Sequence, residues 1–280
     1  MGKKLSIITV CYNAAGVLPV TIESVLAQDT DDLEYIIQDG RSTDRTPELV
    51  EAYKERFALR NIRFVYNREA DSGIYDAMNR AAACAEGDYI NFMNAGDCFC
   101  DPHVLSTITG AADDPDRPAV IYGDCAVYEY GRFYRFGKCL EDIEERMPFS
   151  HQSVFAARDL VKEHPFNTDY RFSADYDFLL TAHDLGVKFK DSGITVCITT
   201  ADGLSSVKYH DTLMETAMIQ KAHGVQKRTE EELVKAEKVL RLKQFVLNHF
   251  PVSVKKRIRA IQIRSRGQEM DITAPNWFKT

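Results

Sequence analysis

Leu5-Ser-Ile-Ile-Thr-Val10, followed at once by Cys11-Tyr-Asn13, is the stretch on which the fold turns. It is a short apolar, β-branched run that breaks into small polar residues, the pattern of a strand buried on both faces. A helical segment comes next, Val17 to Gln28, with apolar Leu18, Ile22, Val25 and Leu26. The alternation continues. Leu33-Glu-Tyr-Ile-Ile-Gln38 reads as a second strand ending in Asp39-Gly40. Pro47 to Arg56 reads as a helix that Asp44 or Thr46 can cap, with proline in its first turn. Ile62 to Tyr66 is a third strand, Ile74 to Ala85 a helix closed by a left-handed Gly87, and Asp88 to Met93 a fourth strand. Strands alternating with helices predict an α/β fold, a mostly parallel sheet with helices on both faces.

Beyond Asp97 the pattern loosens. Ala119 to Tyr122 and Gly131 to Gly137 read as strands, the second an antiparallel addition, and Ala174 to Leu185 as a helix before a strand that starts at Val187. After Gly203 the signals are helical. Thr229-Glu-Glu-Glu232 is a capping box, in which threonine and glutamate satisfy each other's end groups, followed by an apolar stripe of Leu233, Ala236, Leu240 and Leu247. Pro251 stops that helix, and Ser253 can cap another carrying Val254, Ile258 and Ile261. The expected organisation is one α/β domain over 1–205, with halves 1–97 and 98–205, and a helical C-terminal extension over 206–280.

The bulk numbers narrow the function classes. With 280 residues, 45% of them hydrophobic, the chain can bury one sizeable core and an appendage. A net charge of −7 argues against nucleic acid as a partner. The 7 cysteines are scattered, without the CxxC spacing of a zinc site, so a reduced cytosolic protein is expected. The apolar run after Met1 is too short for a signal segment, and no window is long enough to span a bilayer.

In an open parallel sheet, ligands bind at the carboxyl ends of the strands. The first strand delivers Thr9, Cys11, Tyr12 and Asn13 there, and the second delivers Asp39, Ser42, Thr43 and Asp44. Glu69, Asp71 and Ser72 follow the third; Asn94, Gly96 and Asp97 follow the fourth. One such acid is turn chemistry, but acids or small polar groups at every strand end mark a site. Neither GxxxxGK[ST] nor GxGxxG is present, which excludes a P-loop and a nicotinamide dinucleotide fold. An acid-lined rim without a phosphate-cradling loop handles a diphosphate through a hard divalent cation, magnesium or manganese, and Asp97 is its best-placed ligand.

Six ordered segments resemble the inverting GT-A glycosyltransferases of family 2. They are Ile8-Thr-Val-Cys-Tyr-Asn13, Asp39-Gly-Arg-Ser-Thr-Asp44, Asp71-Ser-Gly-Ile-Tyr-Asp-Ala-Met-Asn79, Gly87-Asp-Tyr-Ile-Asn-Phe-Met-Asn-Ala-Gly-Asp97, His151-Gln-Ser-Val-Phe155 and Ala174-Asp-Tyr-Asp-Phe-Leu179. The resemblance covers roughly residues 4–205. It implies hexosyl transfer from a nucleotide-sugar donor to a saccharide, or lipid-linked saccharide, hydroxyl in cell-surface polysaccharide assembly. Residues 1–97 would form the donor half and 98–205 the acceptor half. Carried over, it assigns Thr9 and Asp39 to the donor's nucleoside, Asp71 to the base or ribose, and Asp97 to the metal. Asn94 and Gly96 stand where the family's metal motif usually has acids, and Asn94 is expected to contact the substrate. Asp175 matches the general base, with Ala174 in place of a glutamate. Independently, inversion needs one carboxylate opposite the leaving group. Asp175 and Asp177 point in different directions from one helix start, so one faces the site; Asp175 is the expected base and Asp177 the alternative.

His151 is a candidate for phosphate or acceptor contact, and His210, after Gly203-Leu-Ser-Ser206, a weaker one for the metal. Cys98 and Cys100 read as buried thiols, and Phe133, Tyr134 and Phe136 as sheet packing. Two other functions compete: a sugar nucleotidyltransferase, which would need a Gly-rich basic first loop, and a degenerate sugar-binding or scaffold subunit. Between Pro251 and Gln268 lie Lys255, Lys256, Arg257, Arg259, Arg264 and Arg266 with no acid, and Trp277 and Phe278 follow. Residues 251–280 therefore suit an anionic membrane surface at the inner face of the cell membrane, or packing against the acidic domain or a second copy in a homo-oligomer.

Overall fold

The apolar residues of Leu5–Cys11 (β1) divide between two faces. Leu5, Ile7 and Cys11 enter one core and Ile8 and Val10 the other, all of them buried. A strand apolar on both sides must lie inside a sheet covered twice, and β1 does. It runs parallel to Leu33–Asp39 (β2) on one side and to Tyr89–Phe92 (β4) on the other, with Arg63–Arg68 (β3) parallel to β2. A computed structural model describes residues 4–136, 139–200, 209–226, 229–265 and 268–278. Gly137, the Gly203–Ser206 stretch, the 205/206 boundary and Arg266 fall outside the described residues, as do the side chains of Leu240, Leu247 and Arg264.

The other half of the sheet is largely antiparallel. Val154–Ala157 (β8) pairs with β4, and Val120–Glu129 (β6) with β8. Arg132–Phe136 (β7) adds to β6 as an antiparallel neighbour, as expected. Phe189–Thr200 (β9) runs parallel to β6 and antiparallel to the two-residue Cys98–Phe99 (β5). Glu269–Met270 (β10) closes the order β10-β7-β6-β8-β4-β1-β2-β3.

Leu18–Leu26 (α1), Thr46–Leu59 (α2) and Val104–Ala112 (α4) cover one face. Ile74–Ala83 (α3), Arg158–Glu163 (α5), Ala174–Asp184 (α6) and Tyr209–Ala222 (α7) cover the other. Each fully buried Leu, Ile or Phe contributes about 1.5–3 kcal/mol, so the two cores supply most of the driving force. Glu230–His249 (α8) starts on the expected capping box, with Thr229 N–H donating to Glu232 (3.0 Å) and Glu232 N–H to Thr229 Oγ1 (3.2 Å). Val252–Ser265 (α9) follows Pro251, so Ser253 lies inside it rather than capping it.

Two local expectations are corrected. Neither Asp44 nor Thr46 caps α2 from the N-cap position, which Arg45 occupies. Asp44 instead accepts from the backbone N–H (3.0 Å) and hydroxyl (2.6 Å) of Thr46, a turn two residues long. Gly87 takes no left-handed conformation; α3 ends at Ala83, with Cys84 as its C-cap. Its glycine answers a close approach: a Cβ there would lie 2.5 Å from Ser6 Oγ, and its N–H donates to both Ser6 Oγ and the Glu34 carboxylate (2.9 Å each).

The chain lays β2 and β3 on one side of β1 and then returns to place β4 on the other. That reversal opens a crevice beyond the carboxyl ends of β1 and β4, where an open α/β sheet binds its ligands.

Candidate active site

Just past β4, Asn94-Ala-Gly-Asp97 forms a tight turn closed by Asp97 N–H on the Asn94 carbonyl (3.0 Å). Gly96 sits third in it with φ +100°, a conformation open to glycine. Buried Thr21 of α1 clamps the turn. Its hydroxyl donates to the Asp97 carbonyl (2.7 Å) and accepts from Gly96 N–H (2.9 Å).

Facing this turn is a 3₁₀ turn, His151–Ser153, whose backbone hangs from buried Asn91 of β4 through bonds to the Gln152 and Val154 carbonyls (2.9 and 2.8 Å). His151 Nδ1 meets Asp175 Oδ2 at 2.9 Å, and its Nε2 meets Asn94 Nδ2 at 3.0 Å. The next residue, Gln152, donates from Nε2 to Asp97 Oδ2 (2.7 Å). Asp175 Oδ1 also accepts from the Tyr75 hydroxyl at the start of α3 and from Tyr176 N–H (3.0 Å each). Two carboxylates, Asp97 and Asp175, are thus tied to neighbouring residues of a single turn. Asn94, Asp97, His151 and Asp175 line one cleft of about 1990 Å³.

Desolvation pushes the Asp97 carboxyl up to about 6, against the opposing pull of the Gln152 bond and the His151 charge. A carboxylate so short of compensation favours a cation beside it. Burial, and then the Asp175 charge, hold the Tyr75 phenol far above its ordinary value, so it stays a donor to Asp175. Among the described residues no three His, Cys, Asp or Glu side chains gather around a metal position. The group of this turn that could hold a hard cation is the Asp97 carboxylate; Asn94 Oδ1 is buried without a hydrogen-bond partner.

The remaining rim residues are placed elsewhere. Thr9 has no exposed surface; its hydroxyl bonds the Tyr35 phenol (2.8 Å) and the Met93 carbonyl (2.7 Å). Asp39 is equally enclosed, taking Ser42 N–H and Oγ (2.7 and 2.6 Å) on one oxygen and the Tyr66 hydroxyl (2.7 Å) on the other. Both side chains take part in hydrogen bonds that tie the strand ends together. Asp71 remains half-exposed beside Gly40, where a Cβ would come within 2.6 Å of its Oδ2, and exposed Tyr12 flanks the same spot.

Asp177 accepts from His223 Nε2 (3.0 Å), which joins α6 to the end of α7 and leaves Asp175 alone on the cleft. His210 sits beside Glu237 of α8 (3.6 Å). Cys98 is buried and Cys100 half-buried, its thiol on the Thr195 carbonyl (2.7 Å). The terminal aromatics pack, partly buried, against the sheet. Trp277 Nε1 donates to the Phe99 carbonyl (2.9 Å), and Phe278 packs edge-on to Tyr128. Arg259 pairs with Glu129 and lies over the Tyr134 ring, leaving Lys256, Arg257 and Ile261 exposed on α9. No helix among the described residues is long and apolar enough to cross a membrane. Tyr75, Gln152 and Thr21 were missed from sequence; the first two lie inside quoted motifs, but an uncharged side chain gives no signal of a carboxylate partner far along the chain.

The sequence model described as glycosyl transferase family 2 matches residues 6–179. The chain belongs to that family. A relative, the PGL/p-HBAD biosynthesis glycosyltransferase of Mycobacterium bovis, is 30% identical over 176 residues, 62% of this chain and 67% of its own. Among solved structures, S. aureus TarS 1-349 in complex with UDP superposes with a TM-score of 0.63 at 17% identity, over 90% of this chain and 77% of that one. The mannosyltransferase PcManGT of Pyrobaculum calidifontis, in complex with GDP-Man and Mn2+, gives 0.61 at 16% identity over 96% and 77%. These likenesses carry the fold, and the GT-A architecture expected from the motifs is the one this family 2 chain adopts.

Proposed function

We propose that this family 2 glycosyltransferase moves a hexosyl unit from a nucleoside diphosphate sugar to a saccharide hydroxyl with inversion. Asp175 is the base and Asp97 the carboxylate that holds a divalent cation. The observation that carries this reading is the bracket formed by His151 and Gln152, which fixes the two carboxylates toward one cleft. Inversion requires the base and the leaving group on opposite sides of the anomeric carbon, and separate anchors for the two carboxylates meet that need. Asp175 takes the acceptor's proton as its oxygen attacks, while His151 and Tyr75 hold the carboxylate in place. Bound at Asp97, a divalent cation would offset the charge that develops on the departing diphosphate. The structural neighbours in complex with UDP, or with GDP-Man and Mn2+, support a donor of that chemistry. The lipid-linked, cell-surface acceptor rests on the motif resemblance.

A thermal-shift panel of nucleotide sugars, each with and without manganese, tests the donor reading. A ligand that binds the native state alone raises its stability, by about 2.7 kcal/mol at a hundredfold excess over Kd. One nucleoside diphosphate sugar should raise the melting temperature more with manganese than without. If none shifts it at millimolar concentration, the reading is wrong.

A further inference from the structure

We propose that Arg171 binds an oxyanion on the acceptor, so that the saccharide being glycosylated carries a phosphate ester or a uronate carboxylate. The inference rests on Asp175 being the base, because inversion puts the acceptor on the base's side of the cleft. Among the described residues five arginines line that cleft: Arg56, Arg135, Arg146, Arg171 and Arg259. Four have an acid each, Glu23, Asp124, Asp142 and Glu129 in that order. Arg171 pairs with no carboxylate among the described residues. Glu215 of α7 is close by, but it is committed to the backbone. Its Oε1 accepts from Arg171 N–H (2.8 Å), and its Oε2 from Phe172 N–H (2.7 Å) and Ser173 N–H (3.0 Å). Three charge-assisted bonds to one carboxylate fix the segment that leads into α6. The guanidinium itself lies over Phe172, 5.7 Å from the ring centre and near the outer limit of about 6 Å for such a contact. It is therefore an exposed, permanently charged fork on a pinned segment, and a fork of that shape matches the paired oxygens of a phosphate or carboxylate. Only four residues separate it from Asp175, which holds the two Cα atoms within about 14 Å, so one acceptor can touch both. The donor's diphosphate belongs at the Asp97 end, which leaves this charge to the acceptor.

Modification of the full chain by phenylglyoxal, which condenses with guanidinium groups, tests the assignment without turnover when each arginine is followed by peptide mass spectrometry. Methyl phosphate, glucuronate and uridine diphosphate serve as protecting probes, and exposed Arg257 of α9 is the control for a merely solvated charge. Methyl phosphate or glucuronate at about twice its Kd should slow modification of Arg171 roughly threefold and leave Arg257 unchanged. Which of the two protects tells a phosphate ester from a uronate. Arg171 protected no better than Arg257 by either overturns the proposal. Protection by uridine diphosphate alone, or loss in R171Q of the thermal shift given by donor and manganese, moves the charge to the donor and overturns the acceptor role as well. The transferase reading is judged separately, on the donor shift in wild type, which does not involve Arg171.

Discussion

Glu34 shows how much one buried side chain can decide at the end of the sheet remote from the site. Its carboxylate has no exposed surface, yet it accepts from Ser6 Oγ (2.6 Å), Glu86 N–H (2.6 Å) and Gly87 N–H (2.9 Å), and pairs with Arg63. Burial alone would raise its pKa; the Ser6 hydroxyl, the two backbone N–H groups and Arg63 outweigh that and hold it below its ordinary 4.5. A depressed carboxyl stabilises the fold above its unfolded pKa and loses that contribution as pH falls through the folded value. Replacing Glu34 by Gln can keep one oxygen for the Ser6, Glu86 and Gly87 donors but turns an amide NH2 on half-exposed Arg63 and removes the charge, so E34Q should lose roughly 1–3 kcal/mol. Urea unfolding at pH 7 and near pH 4 checks this: the gap between wild type and E34Q should shrink at the lower pH. An equal gap at both would show that the charge of Glu34 is irrelevant. At the site, the acids were legible as acids because turns at strand ends must be explained. Their partners were not: Tyr75 lies 100 residues from Asp175, and Gln152 lies 55 from Asp97. Nor does sequence tell which strand-end acids turn inward, as Asp39 does once Ser42 and Tyr66 claim it.

At the scale of elements, the joint between α6 and α7 rests on His223, whose ring bridges Asp177 (3.0 Å) and Asp184 (2.6 Å). Burial pulls the imidazole down, but the bonds to Asp184 and Asp177 outweigh it and hold the pKa above the ordinary 6.5. A raised histidine contributes stability that is fully present below about 6.5 and is lost as pH rises through its folded pKa. Wild type should therefore lose melting temperature as pH rises above about 6.5, with H223Q flatter across that window. Parallel curves would show that the bridge contributes nothing as an ion pair. Because Asp175 lies in the first turn of α6, this joint also steadies the helix that carries it. Strand and helix alternation through β4 was readable because β1, β2 and their helices are apolar where two cores meet them. β10 was not, since a two-residue strand, Glu269–Met270, has no period to read and takes its place from the edge of β7. The same return of the chain puts Trp277 on Phe99, a contact that no local composition announces.

For the whole molecule, the cleft joins the two halves of the sheet. The parallel half supplies Asn94 and Asp97 from the end of β4, and the antiparallel half supplies the His151–Gln152 turn before β8 and Asp175 on α6. Neither half holds both carboxylates alone, so the spacing between them is a property of the sheet as a unit. The central claim is that Asp175 abstracts the acceptor's proton across this cleft while donor binding is carried elsewhere in it. The most direct measurement follows transfer by NMR with the donor and manganese that stabilise the protein, in wild type and in D175N, with donor affinity measured in parallel. The account predicts a product of opposite anomeric configuration to the donor, and D175N slower by about two to four orders of magnitude with donor affinity unchanged. A product of retained configuration, or D175N turning over at the wild-type rate, would contradict it.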